Sequence, residues 1–295
     1  MKIGSHVSNK MPEMLVGSLK EALSYNETSF MFYLGPPQNL YRKSYEELNG
    51  DLFKNLLKNH GFTTEDVIIH APYIMNLAQP EEEKREFAVK VLTNELKLAS
   101  DCGLKYIVVH PGNSLHLEKE EAIKRIEKSL IEVFKNTEGD ETVILLETMA
   151  GKGTEVCTKF EDIKYLLDHV NSERLKVCLD TCHTWDSGYD WKDHYEETIL
   201  ELDKVIGIKN IKCIHLNDSK NPLASHKDRH ENIGHGFLGF ETILKFAYDQ
   251  RFKNVPKILE TPYIKKADGT EFPPYKEEIE MILTKQFRDI KNNAV

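Results

Sequence analysis

Several features that would assign this chain to a class at once are missing from it. No apolar run approaches the ~20 residues that a membrane helix needs, so no membrane span is expected. The start, Met1-Lys2-Ile3-Gly4-Ser5-His6, has no apolar stretch of the secretory kind, and no secretory signal is expected. Cysteines are few and odd in number: Cys102, Cys157, Cys178, Cys182 and Cys213. Cys178 and Cys182 are too far apart for a CxxC pair, which leaves free thiols in a reducing cytoplasm as the expectation. Basic residues are outnumbered, 39 Lys+Arg against 48 Asp+Glu, for a formal charge of −9. That balance argues against a nucleic-acid partner held by bulk positive charge. There is no Ser/Gly linker, low-complexity tract or composition shift, so a single domain over residues 1–295 is expected. No glycine-rich phosphate turn follows the first apolar run, which disfavours an open dinucleotide-binding sheet.

What is present is the composition of an ordinary globular protein, 40% hydrophobic and 29% charged, and a repeating alternation. Short apolar runs rich in β-formers occupy 2–5, 29–33, 67–70, 106–110, 143–147, 176–180, 212–216 and 257–260. Most are continuously apolar, as strands buried on both faces are. Between them lie segments of helical period at 81–100, 120–134, 194–206 and 241–248. The first of these places Phe87, Val91, Leu92, Leu96 and Leu98-Ala99 near one stripe. Gly103 and Gly61 suit helix C-caps, and Thr158-x-x-Glu161 reads as a capping box that starts a helix. Eight strand–helix repeats in about 295 residues predict an α/β fold, a closed (β/α)8 TIM barrel.

The residue that ends each run carries the chemistry. His70 and His110 end the third and fourth runs, Glu147 the fifth and Asp180 the sixth; His215 lies in the seventh, and Glu260 ends the eighth. In a parallel barrel these ends share one face, where active sites are built. One polar strand end is ordinary, but six in one small volume crowd imidazoles against carboxylates, which is costly unless a cation sits among them. Nitrogen and oxygen donors fit Zn²⁺, Mn²⁺ or Fe²⁺, and the abundance of histidine favours zinc. Thr181-Cys182-His183 places His183 at the start of the next loop. After the seventh run, Asp228-Arg229-His230 sets two ligand types at i, i+2, which point the same way in an extended segment. With His183 they make a three-ligand site that leaves a position for water or substrate. Cys182 is expected to pack. His60, His116, His169 and His194 read as solvated or capping residues. His226 and His235 lie in the seventh-run loop, and His6, at the end of the first run, faces the ligand rim.

These motifs resemble bacterial endonuclease IV, the zinc-dependent apurinic/apyrimidinic endonuclease of base excision repair. The resemblance rests on His70-Ala71-Pro72-Tyr73, His110-Pro111-Gly112, Glu147-Thr148-Met149-Ala150-Gly151 and Leu179-Asp180-Thr181-Cys182-His183. It continues in His215-Leu216-Asn217-Asp218-Ser219-Lys220, Asp228-Arg229-His230-Glu231-Asn232-Ile233-Gly234 and Leu259-Glu260-Thr261-Pro262, so it spans nearly the whole chain. It implies a TIM barrel with three zinc ions, with Mn²⁺ at one or more sites as a variant. His70 and His110 would hold one ion, Asp180, His215 and Glu260 a second, with Glu147 bridging the two. His183, Asp228 and His230 would hold the third.

The implied reaction is hydrolysis of the phosphodiester 5′ to an abasic site in double-stranded DNA, leaving a 3′-hydroxyl and a 5′-deoxyribose phosphate. Glu147 would orient the attacking hydroxide. The loop 35–41, with Gln38, resembles the family's DNA-penetrating loop, and Tyr73 matches its other stack-inserting residue, which enters where a nucleotide is flipped out. His6, Lys220 and Arg229, together with Arg42, Lys43 and Lys227, are candidate DNA contacts. Three divalent ions would bring the chain from −9 to −3 and make the four-carboxylate cluster +2, a locally positive floor under the substrate. A monomer in the cytoplasm is expected. The competing readings are a sugar isomerase or epimerase on a related barrel, which needs only one or two ions, and a catalytically silent DNA- or metal-binding module.

Overall fold

The computed structural model describes residues 1–292, so the last three residues of the expected 1–295 domain lie outside the described residues. Seven strands follow the first seven runs in chain order: β1 (Ile3–Ser5), β2 (Phe30–Tyr33), β3 (Val67–His70), β4 (Tyr106–Val109), β5 (Val143–Glu147), β6 (Leu175–Asp180) and β7 (Ile211–His215). Two short strands, β8 (Asp218–Ser219) and β9 (His230–Glu231), pair with each other before β10 (Lys257–Leu259) supplies the eighth stave. A hairpin of β11 (Ile264–Lys265) and β12 (Glu271–Phe272) lies beyond it.

The staves are all parallel, in the order β1-β10-β7-β6-β5-β4-β3-β2. Closure between β1 and β2 is made by backbone: the Val7 amide donates to the Met31 carbonyl at 2.8 Å, and His6 bridges to Met31. The result is a single-domain TIM barrel. Two buried faces per strand explain the continuous apolar runs. One face supplies the barrel interior, with Met31, Ile68, Val108, Leu145, Cys178, Cys213 and Ile258. The other packs against the helices through residues such as Phe32, Ile69, Ile107, Leu146 and Leu179.

The helices are α1 (Leu15–Ser24), α2 (Gly50–Asn59), α3 (Glu82–Asp101), α4 (Lys119–Asn136), α5 (Phe160–Val170), α6 (Thr181–Asp186), α7 (Tyr195–Val205), α8 (Phe240–Tyr248) and α9 (Tyr275–Thr284). Gly61 and Gly103 stand just past the ends of α2 and α3 with φ of 78° and 67°, the left-handed C-cap expected of them. Two expectations are corrected. Phe87 lies off the buried stripe of α3 and is exposed, because the stripe runs through Ala88, Val91, Leu92, Leu96 and Ala99. The start of α5 is capped one residue later than Thr158-x-x-Glu161: Lys159 is the N-cap, and Asp162 accepts its backbone N–H at 3.3 Å. All five cysteines are free and buried, Cys182 included.

Candidate metal centre

The strand ends converge as the parallel topology requires. His70 and Glu147 terminate β3 and β5, Asp180 and His215 terminate β6 and β7, and His110 and Glu260 stand one residue beyond β4 and β10. Glu147 lies at the centre. Its Oε2 is 3.3 Å from His70 Nε2 and 3.0 Å from His110 Nε2, and its Oε1 is 2.9 Å from His215 Nδ1 and 3.3 Å from His183 Nδ1. On the other side His215 Nδ1 lies 3.1 Å from Glu260 Oε2 and 3.7 Å from Asp180 Oδ2. His183 Nε2 is 2.9 Å from Asp228 Oδ1, and His230 Nε2 is 3.8 Å from the same oxygen and 3.7 Å from Asp180 Oδ2.

Five groups of ligand atoms follow, three of them of nitrogen and oxygen donors alone: His70, His110 and Glu147; Glu147, Asp180, His215 and Glu260; and His183, Asp228 and His230; the other two bring Cys178 and Cys213 to His215, and Cys182 to Asp180 and His230. Glu147 belongs to the first two. Within each group the ligand atoms lie within 4.8 Å of one another, close enough to share one cation.

The ring orientations suit ligation. His70 Nδ1 is 2.7 Å from the Ala71 carbonyl, His183 Nδ1 3.0 Å from that of Thr148, and His230 Nδ1 3.1 Å from that of Glu260. A ring that donates from Nδ1 to a carbonyl turns the Nε2 lone pair into the site, the usual arrangement of a metal-bound imidazole. His230 Nε2 and His215 Nε2 are buried with no hydrogen-bond partner. An orphaned nitrogen facing two carboxylates, as at His230, is what a site built for a cation presents. The residues therefore fit divalent ions with nitrogen and oxygen ligands.

In the protein alone, ring protons offset the carboxylates. Burial opposes ionisation of Glu147, yet His215 and His110 beside it hold its carboxyl well below the usual range. Burial likewise opposes the charged form of His183, but Asp180, Asp228 and Glu147 raise it well above the ordinary imidazole value. For His70 burial prevails and the shift is downward.

Two geometric expectations are corrected. His183 is in the helix α6, not a loop: the Asp180 carboxylate caps that helix by accepting the His183 backbone N–H at 2.7 Å. Asp228 is not extended, since its φ is 51°, so it joins His230 in one group by a left-handed turn and not by the i, i+2 rule.

Among the residues expected at DNA, His6 packs against Tyr33 with centroids 4.5 Å apart and rings tilted by 40°, and its Nδ1 lies 3.4 Å from Glu260 Oε1. Gln38, Tyr73, Lys220 and Arg229 are exposed. A cleft of about 340 Å³ beside His110 and Asp228 is lined also by Tyr73, Met149, Lys152 and Glu155. Arg42 is turned inward. Its guanidinium is bonded to buried Glu95 and donates to the carbonyls of Tyr41 and Asn39, at 2.7 and 3.2 Å, so it braces the 35–41 loop and is not free for phosphate. His226 is tied to the Ala150 carbonyl at 2.9 Å.

Sequence reasoning passed over the residues that hold the ligands. Asn217 donates to Asp180 at 2.8 Å and to Glu260 at 3.3 Å, and accepts the Glu260 backbone N–H at 2.8 Å. Thr148 Oγ accepts the Asp180 backbone N–H at 2.9 Å. Their signal was position: both sit one or two residues past a ligand, where side chains still face the site.

A family model described as a xylose isomerase-like TIM barrel matches residues 19–285. The chain is 45% identical over 291 residues to a protein of Mesoplasma florum named "Probable endonuclease 4", covering 97% of each. It superposes on the crystal structure of endonuclease IV from Thermus thermophilus with a TM-score of 0.80 and 28% identity, over 91% of this chain and 94% of that one. A D-tagatose 3-epimerase-like protein shares the fold, with a TM-score of 0.66 and 21% identity over 88% of this chain and 90% of that one.

Proposed function

The chain belongs to the endonuclease IV family and is a hydrolase of DNA repair, and from that premise we propose that it cleaves the phosphodiester 5′ to abasic sites in double-stranded DNA with three divalent ions, leaving a 3′-hydroxyl and a 5′-deoxyribose phosphate. One observation carries this reading: nine ligand-type side chains form three adjoining groups, two of them joined through Glu147, at a single mouth of the barrel.

His70, His110 and Glu147 would hold one ion, Glu147, Asp180, His215 and Glu260 a second, and His183, Asp228 and His230 the third; zinc suits the donors, and manganese is tolerated by the same set. Bound there, divalent ions supply Lewis acidity toward water and the phosphate oxygens. Glu147 remains ionised among its histidines and orients the attacking water. Asn217 and Thr148 keep the carboxylates of Asp180 and Glu260 aimed inward. His6 braces Glu260 at the rim. Tyr73 at the cleft and Gln38 on the exposed 35–41 loop fill the base stack when the abasic nucleotide is extruded, while Lys220 and Arg229 contact phosphates. Such a reaction suits a monomer acting on DNA in the cytoplasm; among the described residues no helix is long and apolar enough to cross a membrane.

A duplex with one abasic site is expected to be nicked on its 5′ side. Chelation is expected to abolish the nicking and added Zn²⁺ or Mn²⁺ to restore it. Full activity of a metal-stripped preparation, or a single ion per chain in fully active enzyme, would overturn the mechanism. The second reading, a sugar epimerase, is favoured by the shared barrel alone. It leaves the His183, Asp228 and His230 group without a task.

A further inference from the structure

The third ligand group differs from the others in how it is supported. Its loop residue, Asp228, is not at a strand end and takes no rigidity from the barrel. The segment that brings it in contains three non-glycine residues with left-handed backbone in alternation: Ala224 at φ 59°, His226 at 53° and Asp228 at 51°. Such conformations persist only where surrounding contacts over-determine them.

The contacts come from the end of α6, the helix whose first residues follow Asp180 and include His183. Trp185 holds the near side of the loop: its carbonyl accepts the Ala224 backbone N–H at 3.1 Å, and its indole N–H donates to the Asn221 carbonyl at 3.0 Å. Asp186 holds the far side. Its carbonyl accepts the His226 backbone N–H at 3.1 Å. Its side chain is fully buried; Oδ2 accepts the backbone N–H groups of Lys227 at 3.1 Å and Asp228 at 2.8 Å, and Oδ1 accepts the Ser219 hydroxyl at 2.7 Å. One carboxylate thus ties β8, through Ser219, to the amide of the ligand-bearing residue itself. One six-residue helix, with the Asp180 that caps it, then fixes Asp180, His183 and the backbone of Asp228 together.

We propose that Asp186 is a positioning residue for the third metal site, clamping the left-handed Asp228 loop so that Asp228 meets His183 and His230 with a preset geometry. This rests on the three-ion reading above. Asp186 touches neither substrate nor ion; it acts through the Lys227 and Asp228 amides. The chemistry also predicts which substitution is tolerated. In Asp186→Asn the remaining carbonyl oxygen can accept both amides, while the side-chain NH₂ donates to Ser219, whose hydroxyl reverses from donor to acceptor. In Asp186→Ala the Lys227 and Asp228 backbone N–H groups lose their acceptor and the loop relaxes.

The test is metal content and affinity, read by elemental analysis during stepwise chelator titration of the holoenzyme, with amide hydrogen exchange as a second readout. Asp186→Ala is expected to bind one of its three ions about 10- to 100-fold more weakly, as removal of a ligand-orienting contact does, and to keep the other two at wild-type affinity. The Lys227 and Asp228 amides should lose protection. Asp186→Asn should restore both readouts. Wild-type affinity for all three ions in Asp186→Ala, or equal weakening of all three, overturns the proposal. If that variant does not fold, Ser219→Ala, which removes only the Oδ1 partner, should weaken the same single ion to a smaller degree, and no change there overturns it. A wild-type chain that never takes up a third ion sinks the function reading and this proposal with it. That outcome is told apart from a failure of the clamp alone because it appears before any substitution.

Discussion

At the scale of single residues, the same physics yields opposite outcomes at two buried carboxylates. Glu147 is surrounded by four imidazole nitrogens within 3.3 Å and is kept ionised. Glu278, also fully buried, faces only neutral donors: the Ile233 backbone N–H at 3.0 Å, the Asn232 amide at 3.2 Å and the Thr261 hydroxyl. Burial pushes its carboxyl up to about 7, against the pull of those hydrogen bonds. The folded chain therefore holds this proton more tightly than the unfolded chain, whose value is 4.5. Stability from this group is complete below that value and is lost as pH rises through about 7. Chemical denaturation of wild type and Glu278→Gln between pH 4 and pH 8 is the check. The variant should gain on wild type steadily as pH rises, and parallel curves would refute the assignment.

Among the elements, the two loops proposed to carry recognition are stiffened differently. The 35–41 loop is braced from within by Arg42, so Gln38 is presented by an ordered segment despite its exposure. Tyr73 stands three residues past His70 at the end of β3 and is 47% exposed, an aromatic ring at the lip of the cleft beside Met75 and Met149. Tyr73→Ala is expected to reduce the preference for abasic over intact duplex more than it slows bond cleavage. A competition assay with both duplexes measures this, and unchanged discrimination would remove Tyr73 from recognition. The loop after β7 belongs to a different category, since its backbone and not its sequence pattern delivers Asp228.

For the whole molecule, closure of the barrel decides whether the nine ligand-type side chains can meet at all. β1 and β2 approach so closely that a Cβ on Gly4 would stand 1.6 Å from the Ser29 carbonyl oxygen, a main-chain atom that cannot rotate away. Gly4→Ala is expected to cost more than about 3 kcal/mol, beyond the usual overpacking penalty because backbone must move. It would part the seam beside His6 and Glu260. A urea midpoint and metal content measured together check this; an unchanged midpoint would mean the seam tolerates separation. The net charge of −9 belongs to this scale too. On the proposed reading, cations at the mouth would add to Lys220 and Arg229 in setting a local field that favours DNA, so affinity for DNA is expected to rise with metal loading.

The division of labour between sequence and fold can be argued from particular residues. His70, His110, Glu147, Asp180, His215 and Glu260 were legible because they end apolar runs, and parallel strands in a barrel send such ends to one face. The barrel itself was legible for the same reason, since eight doubly buried strands have few other ways to be covered. Arg42 was misread as a phosphate contact because nothing local says that Glu95, on α3, lies beneath it. Thr158 was misread as a cap because the choice between neighbouring N-caps depends on which carboxylate reaches back. The left-handed turn at Asp228 and the clamp of Asp186 on it are contacts between residues 42 apart. Short-range pattern sets which residues are apolar, where strands end and which donors stand there. Only the packed chain decides orientation, because a side chain's direction and its hydrogen-bond partners depend on backbone brought from elsewhere, and that no periodicity records.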